Sequence, residues 1–216
     1  MKLISALKFV LVIIIPAMIF LLAMNAAGFD NSFYSQKFSE YGVDKNIPKA
    51  GLIHQKVMDF IKGNSDDLPA EFNEKEKQHL LDVRKLIGFG TALMYILILL
   101  FILLLVLSAF TLKASTYVNM FVGKVLLFGG LLTLGLALLI FALISADFDS
   151  SFESFHKLFF DYGTYSFDSG RELIVNLYPE QLFMDLGIRV SKWVIAGAIL
   201  VVLMGLFFLF RSKRNK

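Results

Sequence analysis

Residues 86–112 read LIGFGTALMYILILLFILLLVLSAFTL and contain no charged side chain. A helix needs about 20 mostly apolar residues to cross the hydrocarbon core of a bilayer, so this stretch is long enough to do so. Three other stretches have the same character, at about residues 4–27, 122–146 and 193–210. The sequence therefore predicts an all-α membrane protein whose four transmembrane helices form a bundle.

The overall composition supports this interpretation. Of the 216 residues, 57% are hydrophobic and only 18% are charged, whereas about a quarter of the residues of a soluble domain are charged. A chain this short cannot bury so much apolar surface inside itself, which excludes a soluble enzyme, a disordered chain and a fibrous repeat. The absence of cysteine excludes disulfides, thiolate metal sites and a cysteine nucleophile.

The charges predict the orientation of the chain in the membrane. All 18 acidic residues lie in two segments, 10 in residues 28–85 and 8 in residues 147–192, while both ends and the loop near residue 113 carry only basic charges. Cytoplasmic segments are enriched in Lys and Arg. We therefore expect both termini inside and the two acidic loops outside. The chain is one membrane domain, 1–216, with an extracytoplasmic cap of short amphipathic helices.

The first apolar run is longer than the roughly 7–15 apolar residues of a signal peptide, so we interpret it as a retained span. Pro16 is expected to kink it.

In the first outer loop, residues 48–62 are predicted to form an amphipathic helix that ends at Gly63. Asn73 and Glu76 have the spacing of a capping box, which predicts a helix that begins there and continues into the second span. Residues 32–42 are rich in aromatic side chains, and we expect them to be either a strand or irregular.

In the second outer loop, two further pairs have capping-box spacing. Ser150 with Glu153 and Ser169 with Glu172 each predict the start of a short helix. The Tyr-Pro pair at 178–179 should end the second of these helices. The loop is also rich in aromatic residues, which an aromatic belt at headgroup depth would explain.

The three histidines, His54, His79 and His156, all lie in the outer loops. His54 is expected at a polar-flanked position of a surface helix, in a structural role. The other two lie beside membrane entry points, on amphipathic helices. Carboxylates that could fix their tautomers stand nearby in sequence: Asp82 near His79, and Glu153 and Asp161 near His156.

The known catalytic motifs are absent from the sequence. It has no G-x-S-x-G elbow, H-E-x-x-H zinc motif, P-loop or dinucleotide fingerprint. The histidines lack H-x-x-x-H spacing, which gives a zinc site no support.

A serine hydrolase stays open, since several serines flank His156. The spans lack ionisable residues at mid-membrane, which argues against transport. Two possibilities remain: acid–base chemistry by histidines at the outer leaflet, or no chemistry at all.

Two histidine-containing blocks carry a family resemblance. Residues 154–160 read SFHKLFF and are followed by YSFD at 165–168 and LYPE at 177–180, while residues 76–84 read EKQHLLDVR. These blocks and the four-span layout resemble the bacterial lipoprotein intramolecular transacylases. Two positions depart from the family pattern: Tyr165 stands where Trp is frequent, and Ser169 where Pro is common.

The resemblance implies a reaction. The substrate would be a diacylated bacterial lipoprotein whose N-terminal cysteine carries a thioether-linked diacylglycerol. The sn-2 acyl chain would move to the α-amino group of the same cysteine and give a lyso-form lipoprotein, with no acyl-enzyme. The protein would be a multi-pass protein of the bacterial cell membrane with its active site at the outer leaflet, in contact with membrane lipid and not with nucleic acid.

The same resemblance implies the residues of the site. His79 and His156 would be the catalytic acid–base pair, without a metal or cofactor. Supporting or substrate-binding roles are expected for Asp82, Phe155, Phe159, Phe160, Tyr162, Tyr165, Phe167, Asp168, Arg171 and Tyr178. Two other functions stay open: a non-enzymatic membrane protein that binds a partner or acts as a sensor, and a lipid or lipoprotein ester hydrolase.

Overall fold

The structure is a computed structural model that describes residues 2–161 and 163–214. Within these ranges every regular element is a helix. The helices are α1 Lys2–Gly28, α2 Asn31–Glu40, α3 Val43–Asn46, α4 Ala50–Lys62, α5 Glu74–Leu112, α6 Ser115–Ala146, α7 Phe148–Phe159, α8 Leu173–Leu177 and α9 Glu180–Arg214. The prediction of an all-α protein is confirmed. The four predicted spans lie within α1, α5, α6 and α9, each long and apolar enough to cross a membrane.

The chain divides into two compact units. The bundle unit contains the chain up to Met24, residues Ala92–Ala142 and the chain from Arg189 onward. The site unit contains Asn25–Thr91 and Leu143–Ile188. The site unit includes all three histidines.

In the bundle unit, α6 and α9 pack closely at glycines. A Cβ atom added to Gly205 would lie 2.5 Å from the backbone nitrogen of Leu127, and one added to Gly123 would lie 2.9 Å from that of Leu209. Membrane helices approach this closely only where small residues face each other. Large apolar side chains such as Phe110 are exposed, as a surface that faces lipid requires.

The site unit has its own apolar core, to which α2 contributes Phe33, Tyr34 and Phe38. The expectation that residues 32–42 are strand or irregular is wrong, because α2 occupies residues 31–40. Asp30 caps this helix by accepting a hydrogen bond from the backbone N–H of Ser32 at 3.0 Å. The aromatic residues have high strand propensity, but their spacing suits one face of a helix, and burial of that face decides the conformation.

The amphipathic helix predicted over residues 48–62 is confirmed as α4. Gly63 ends it with φ 78°, a left-handed conformation that glycine adopts without strain, and its N–H bonds the carbonyls of Asp59 and Phe60. The surface position expected for His54 is wrong, since this side chain is only 5% exposed. It shares the buried face with Ala50 and Val57, which are four residues before and three residues after it.

His54 lies in an aromatic environment. Its Nδ1 is 3.0 Å from the hydroxyl of Tyr178, and its ring centroid lies 4.3 Å from that of Tyr34 and 5.4 Å from that of Phe38. Burial lowers the pKa of His54 to about 4, and the charge of Lys62 acts in the same direction. The imidazole is therefore neutral at pH 7.

The capping box at the start of α5 is confirmed. The N–H of Glu76 donates to the side-chain oxygen of Asn73 at 3.0 Å, and the N–H of Asn73 donates to the carboxylate of Glu76 at 2.7 Å. Both halves of the motif are therefore present, and α5 begins at Glu74.

The capping box predicted at Ser150 is wrong. Helix α7 begins at Phe148, and its N-cap is Asp147, whose carboxylate accepts hydrogen bonds from the backbone and hydroxyl of Ser150 at 3.0 and 2.7 Å. Glu153 instead pairs with Lys157 at 2.6 Å. An aspartate directly after the third span competes successfully with the serine, because its carboxylate is the stronger acceptor.

The capping box predicted at Ser169 is also wrong. Helix α8 begins at Leu173, and the carboxylate of Glu172 accepts from the N–H of Asp168 at 2.6 Å instead. Asp168 also accepts from the N–H of Gly170 at 2.9 Å, which folds these residues into a turn. Tyr178 ends α8 as predicted, and α9 begins after Pro179.

Candidate active site

His79 on α5 and His156 on α7 come together in the site unit. Their ring centroids are 6.2 Å apart, and the ring planes differ by 23°. The two residues belong to different loops of the sequence, so this pairing depends on the tertiary fold. Two facing imidazoles can pass a proton between groups of one bound substrate.

Aromatic rings surround His79. Phe160 lies 4.8 Å from it between centroids and also lies 5.5 Å from His156, so this ring contacts both histidines. Phe167 meets His79 edge-on at 5.3 Å. His79 is consequently only 8% exposed.

A second set of rings surrounds His156. Phe152 lies 4.2 Å away, Tyr165 5.3 Å and Phe155 5.6 Å, all between centroids. These rings leave His156 only partly buried. The phenol of Tyr165 adds a polar group at this side of the histidine pair.

A backbone hydrogen bond fixes the tautomer of His156. Its Nδ1 lies 2.8 Å from the carbonyl oxygen of Phe152. A carbonyl only accepts, so Nδ1 carries the hydrogen, and in the neutral ring Nε2 is the free acceptor. The expectation that Glu153 or Asp161 fixes the tautomer is wrong, because the carbonyl of the preceding turn already does so.

Asp82 does not hydrogen-bond Nδ1 of His79. That nitrogen is buried and has no hydrogen-bond partner among the described residues. The carboxylate of Asp82 instead accepts from Lys85 at 2.9 Å and from Gln78 at 3.4 Å. The predicted role of Asp82 in fixing this tautomer through Nδ1 is therefore wrong, although its charge lies near the ring.

Burial keeps both imidazoles neutral. His79 lies in the charged segment of α5 ahead of its apolar part, where burial lowers its pKa to about 4; the proximity of His156 acts in the same direction, and Asp82 opposes it. Burial also lowers the pKa of His156, opposed by its bond to the Phe152 carbonyl. Both rings are therefore free to accept a proton at pH 7.

Other predicted site residues lie at the edge or outside this cluster. The ring centroids of Phe155 and Phe159 are 4.9 Å apart, and the two side chains are 42% and 47% exposed. The Arg171 side chain is 83% exposed and lies 3.7 Å from Asp168 in the turn before α8. Neither of these two charged side chains has a described contact with the histidines.

Tyr178 and Tyr162 are the two remaining tyrosines for which a supporting or substrate-binding role was predicted. Tyr178 is buried beside His54, and its contacts are with Tyr34, Phe38 and Phe183 rather than with the histidine pair. Tyr162 lies outside the described residues.

Two further residues have contacts at the site that the sequence did not predict. The carbonyl of Phe152 orients His156, and the i, i−4 spacing on a helix is the signal that indicates such a bond. Glu76 accepts a hydrogen bond at 2.7 Å from the N–H of Ile174, a residue of the other loop. Nothing local in the sequence indicates this second bond.

A metal site has no structural basis in the described ranges 2–161 and 163–214. No three His, Asp or Glu side chains there are grouped so that they could hold an ion.

Comparison with known proteins gives one family and one fold. A family model described as lipoprotein intramolecular transacylase Lit matches residues 9–183. The solved structure of the membrane integral lipoprotein intramolecular transacylase Lit from Bacillus cereus has a TM-score of 0.85 and 21% identity, and the match covers 100% of this chain and 99% of that one.

Two variants of the same Bacillus cereus protein also match. One has a histidine replaced by arginine, with a TM-score of 0.81, 19% identity and coverage of 100% of this chain and 96% of that one. The other has a histidine replaced by alanine, with a TM-score of 0.80, 21% identity and coverage of 100% and 97%. No curated protein sequence matches the chain.

Proposed function

This chain belongs to the lipoprotein intramolecular transacylase family, and we propose that it moves the sn-2 acyl chain of a diacylglyceryl-modified N-terminal cysteine to the α-amino group of the same cysteine. It is thus a membrane-integral acyltransferase, and its proposed product is a lyso-form lipoprotein. The observation that carries the proposal is the pair of neutral imidazoles, His79 and His156, stacked at 6.2 Å inside an aromatic shell.

The proposed reaction balances without a further reactant. The neutral amine attacks the ester carbonyl, a C–N bond forms and the C–O bond to the glyceryl oxygen breaks. One proton leaves the nitrogen, and one proton is gained by the glyceryl oxygen. The transfer therefore needs only a base that accepts the proton from the nitrogen and an acid that supplies a proton to the glyceryl oxygen.

We assign the base to His156. Its Nδ1–H is held by the Phe152 carbonyl, so Nε2 is the nitrogen available to take the proton from the attacking amine. His79 then receives this proton from His156 and delivers it to the glyceryl oxygen, so both rings end the reaction neutral. The stacked arrangement keeps both rings beside one tetrahedral intermediate, and no acyl-enzyme is required.

Tyr165 is our candidate for the donor that stabilises the oxyanion. Three other donors among the described residues are already occupied or remote: Asp147 satisfies the N–H of Ser150, Glu76 satisfies that of Ile174, and Arg171 is exposed. The Tyr165 ring lies 5.3 Å from His156. A hydroxyl is also easier to desolvate than a guanidinium in such an aromatic pocket.

The aromatic shell supports an intramolecular mechanism. The amine and the ester are joined through the cysteine side chain and the glycerol, so the reaction requires this flexible tether to fold into a ring. Holding two groups in a reactive geometry can contribute roughly 7–11 kcal/mol to the lowering of a barrier. Phe160, which contacts both histidines, is well placed to restrict the tether.

We place the site at the outer leaflet of the bacterial cell membrane, where membrane lipid and the lipidated protein meet. Both acidic loops form the site unit, and the segments that carry only basic charges, at both termini and near residue 113, lie at the other ends of the spans. Cysteines introduced at Asp66 and Ser169 should react with an impermeant reagent added outside, and one at Lys216 should not. Labelling from the cytoplasmic side at Asp66 would contradict this placement.

The transfer is tested on a synthetic diacylated lipopeptide. Purified protein in detergent micelles should give a product of unchanged mass in which one acyl chain is resistant to ester cleavage. Loss of a chain would indicate an ester hydrolase, and an unchanged substrate would indicate a non-enzymatic membrane protein. Either result would contradict the proposal.

A further inference from the structure

A buried carboxylate lies one helical turn before His79. Glu76 is only 1% exposed. Its two oxygens both accept hydrogen bonds from backbone N–H groups, one from Asn73 and one from Ile174, each at 2.7 Å. The first bond belongs to the capping box of α5 and is local. The second joins two segments that are remote in sequence.

The second bond satisfies a group that helix geometry leaves without a partner. Ile174 is the second residue of α8, and the first N–H groups of a helix have no intrahelical acceptor. No side chain caps α8 at its own N-cap, Glu172. Glu76 supplies the missing acceptor from α5, and thereby ties α8 to the first turn of the helix that carries His79.

The adjacent residue holds the segment just before α8. The ammonium group of Lys75 donates a hydrogen bond to the carbonyl of Ser166 and lies 4.9 Å from the ring centroid of Phe167. Phe167 is the ring that meets His79 edge-on at 5.3 Å. The first turn of α5 therefore contacts the second outer loop both before and after the turn at residues 168–172.

We propose that Glu76 is a positioning residue for His79, because its bond to the Ile174 N–H holds the 166–174 segment against α5 and so keeps Phe167 in edge-on contact with the imidazole. This role rests on the proposed transacylase function and deepens it. Glu76 does not contact the reacting atoms. It acts through Phe167, the ring that contacts the His79 imidazole. Its contribution is to keep water away from His79 and to hold the imidazole in its reactive orientation.

Two variants of Glu76 test this role. Glu76→Gln keeps one carbonyl oxygen but replaces the other with an amide NH₂, so one of the two backbone N–H groups loses its acceptor, whereas Glu76→Ala removes both acceptors. The matched control is Glu74→Gln, which removes the same charge from the same helical turn. Glu74 is exposed and pairs only with Lys77, at 2.8 Å, among the contacts described for it.

The readout is the titration of each histidine by NMR in protein labelled at the imidazoles, in detergent micelles. With Phe167 released, water should reach His79, and its pKa should rise from about 4 by at least one unit toward the ordinary 6.5. His54, buried elsewhere in the site unit, should keep its value near 4. The control Glu74→Gln should change neither histidine.

Activity is the second readout. In Glu76→Gln, kcat for lipopeptide transfer should fall about tenfold or more, while KM changes less, because the acyl chains still bind. The titration does not depend on activity. A raised His79 pKa in a protein whose wild type transfers no acyl chain would preserve the positioning role and reject the proposed function.

Two results would overturn the positioning role. An unchanged His79 pKa in both Glu76→Gln and Glu76→Ala, the second of which cannot form the bond to Ile174 at all, would show that this bond does not protect the ring. A shift of His54 and His79 together would show that Glu76 stabilises the whole site unit without acting specifically on His79.

Discussion

The imidazole of His156 donates its Nδ1–H to the carbonyl of Phe152, four residues earlier on α7, at 2.8 Å. One backbone bond thus decides which nitrogen of this ring faces a substrate. It does so without a carboxylate, which would raise the pKa of the ring. Burial therefore has the largest effect on the pKa of His156 and lowers it, so the ring stays neutral. A neutral imidazole with a fixed tautomer is suited to accept a proton from an amine.

The first prediction concerns the histidine pair. Replacement of His79 or His156 by alanine should lower the transfer rate by about 10²–10⁴, the range typical of a lost acid–base group. The measurement is product formation from a diacylated lipopeptide at saturating substrate. His54→Asn is the matched control and should keep its kcat, because His54 lies beside Tyr178 and not in the pair. A His156→Ala protein with full activity would reject the mechanism.

The second prediction concerns the pH dependence of transfer. The pKa of His79 is lowered to about 4, so this ring stays neutral over most of the accessible range. The substrate's α-amino group, with an ordinary pKa of about 7.7–8.0, must lose a proton before it attacks. The rate should therefore rise through one ionisation near pH 8, with no separate limb at 6.5. A lipopeptide whose amine is less basic should move this limb to lower pH by the same amount.

The third prediction concerns the oxyanion. Tyr165→Phe removes one hydroxyl from the aromatic shell around His156 and should lower kcat by about 10² with little effect on KM, as the loss of an oxyanion donor does. Tyr95→Phe is the control, because Tyr95 lies in the membrane-spanning part of α5 and is 64% exposed. Equal activity of the two variants would assign the donor elsewhere.

The fourth prediction concerns stability. The pKa of His54 is lowered to about 4 in the folded state, against an ordinary value near 6.5, so between these values the unfolded chain binds more protons. The stabilising contribution of the neutral ring is therefore complete above pH 6.5 and is lost as the pH falls toward 4. At pH 5 the loss is roughly 2 kcal/mol for this group. Thermal unfolding midpoints at pH 7 and pH 5 should differ less in His54→Asn than in the wild type.

Much of the fold follows from local sequence patterns. The four apolar runs predict the long helices, because each is longer than a bilayer requires. Asn73 and Glu76 predict the start of α5, because a capping box is a contact between near neighbours. Ser150 and Ser169 mislead because neighbouring aspartates provide the acceptors instead. Asp147 accepts the N–H of Ser150, and the backbone carbonyl of Asp168 accepts the N–H of Glu172; spacing alone does not rank such local acceptors.

The candidate site is less predictable from sequence, since it depends on contacts between loops. The family resemblance singles out His79 and His156, but their stacking is a tertiary fact. The burial of His54 requires the ring of Tyr178, which lies in the other loop. The bond from Ile174 to Glu76 likewise crosses between loops, and no spacing rule encodes it.

Intramolecular transfer without an acyl-enzyme is tested most directly by a crossover experiment. Two diacylated lipopeptides are mixed, one with a deuterated sn-2 chain on an unlabelled peptide, the other with an unlabelled chain on a ¹³C-labelled peptide, and the N-acylated products are analysed by mass spectrometry. Only the two parental combinations of chain and peptide are expected. Crossed products, in which a deuterated chain is found on the ¹³C-labelled peptide, would show that the chain passes between molecules and would contradict intramolecular transfer.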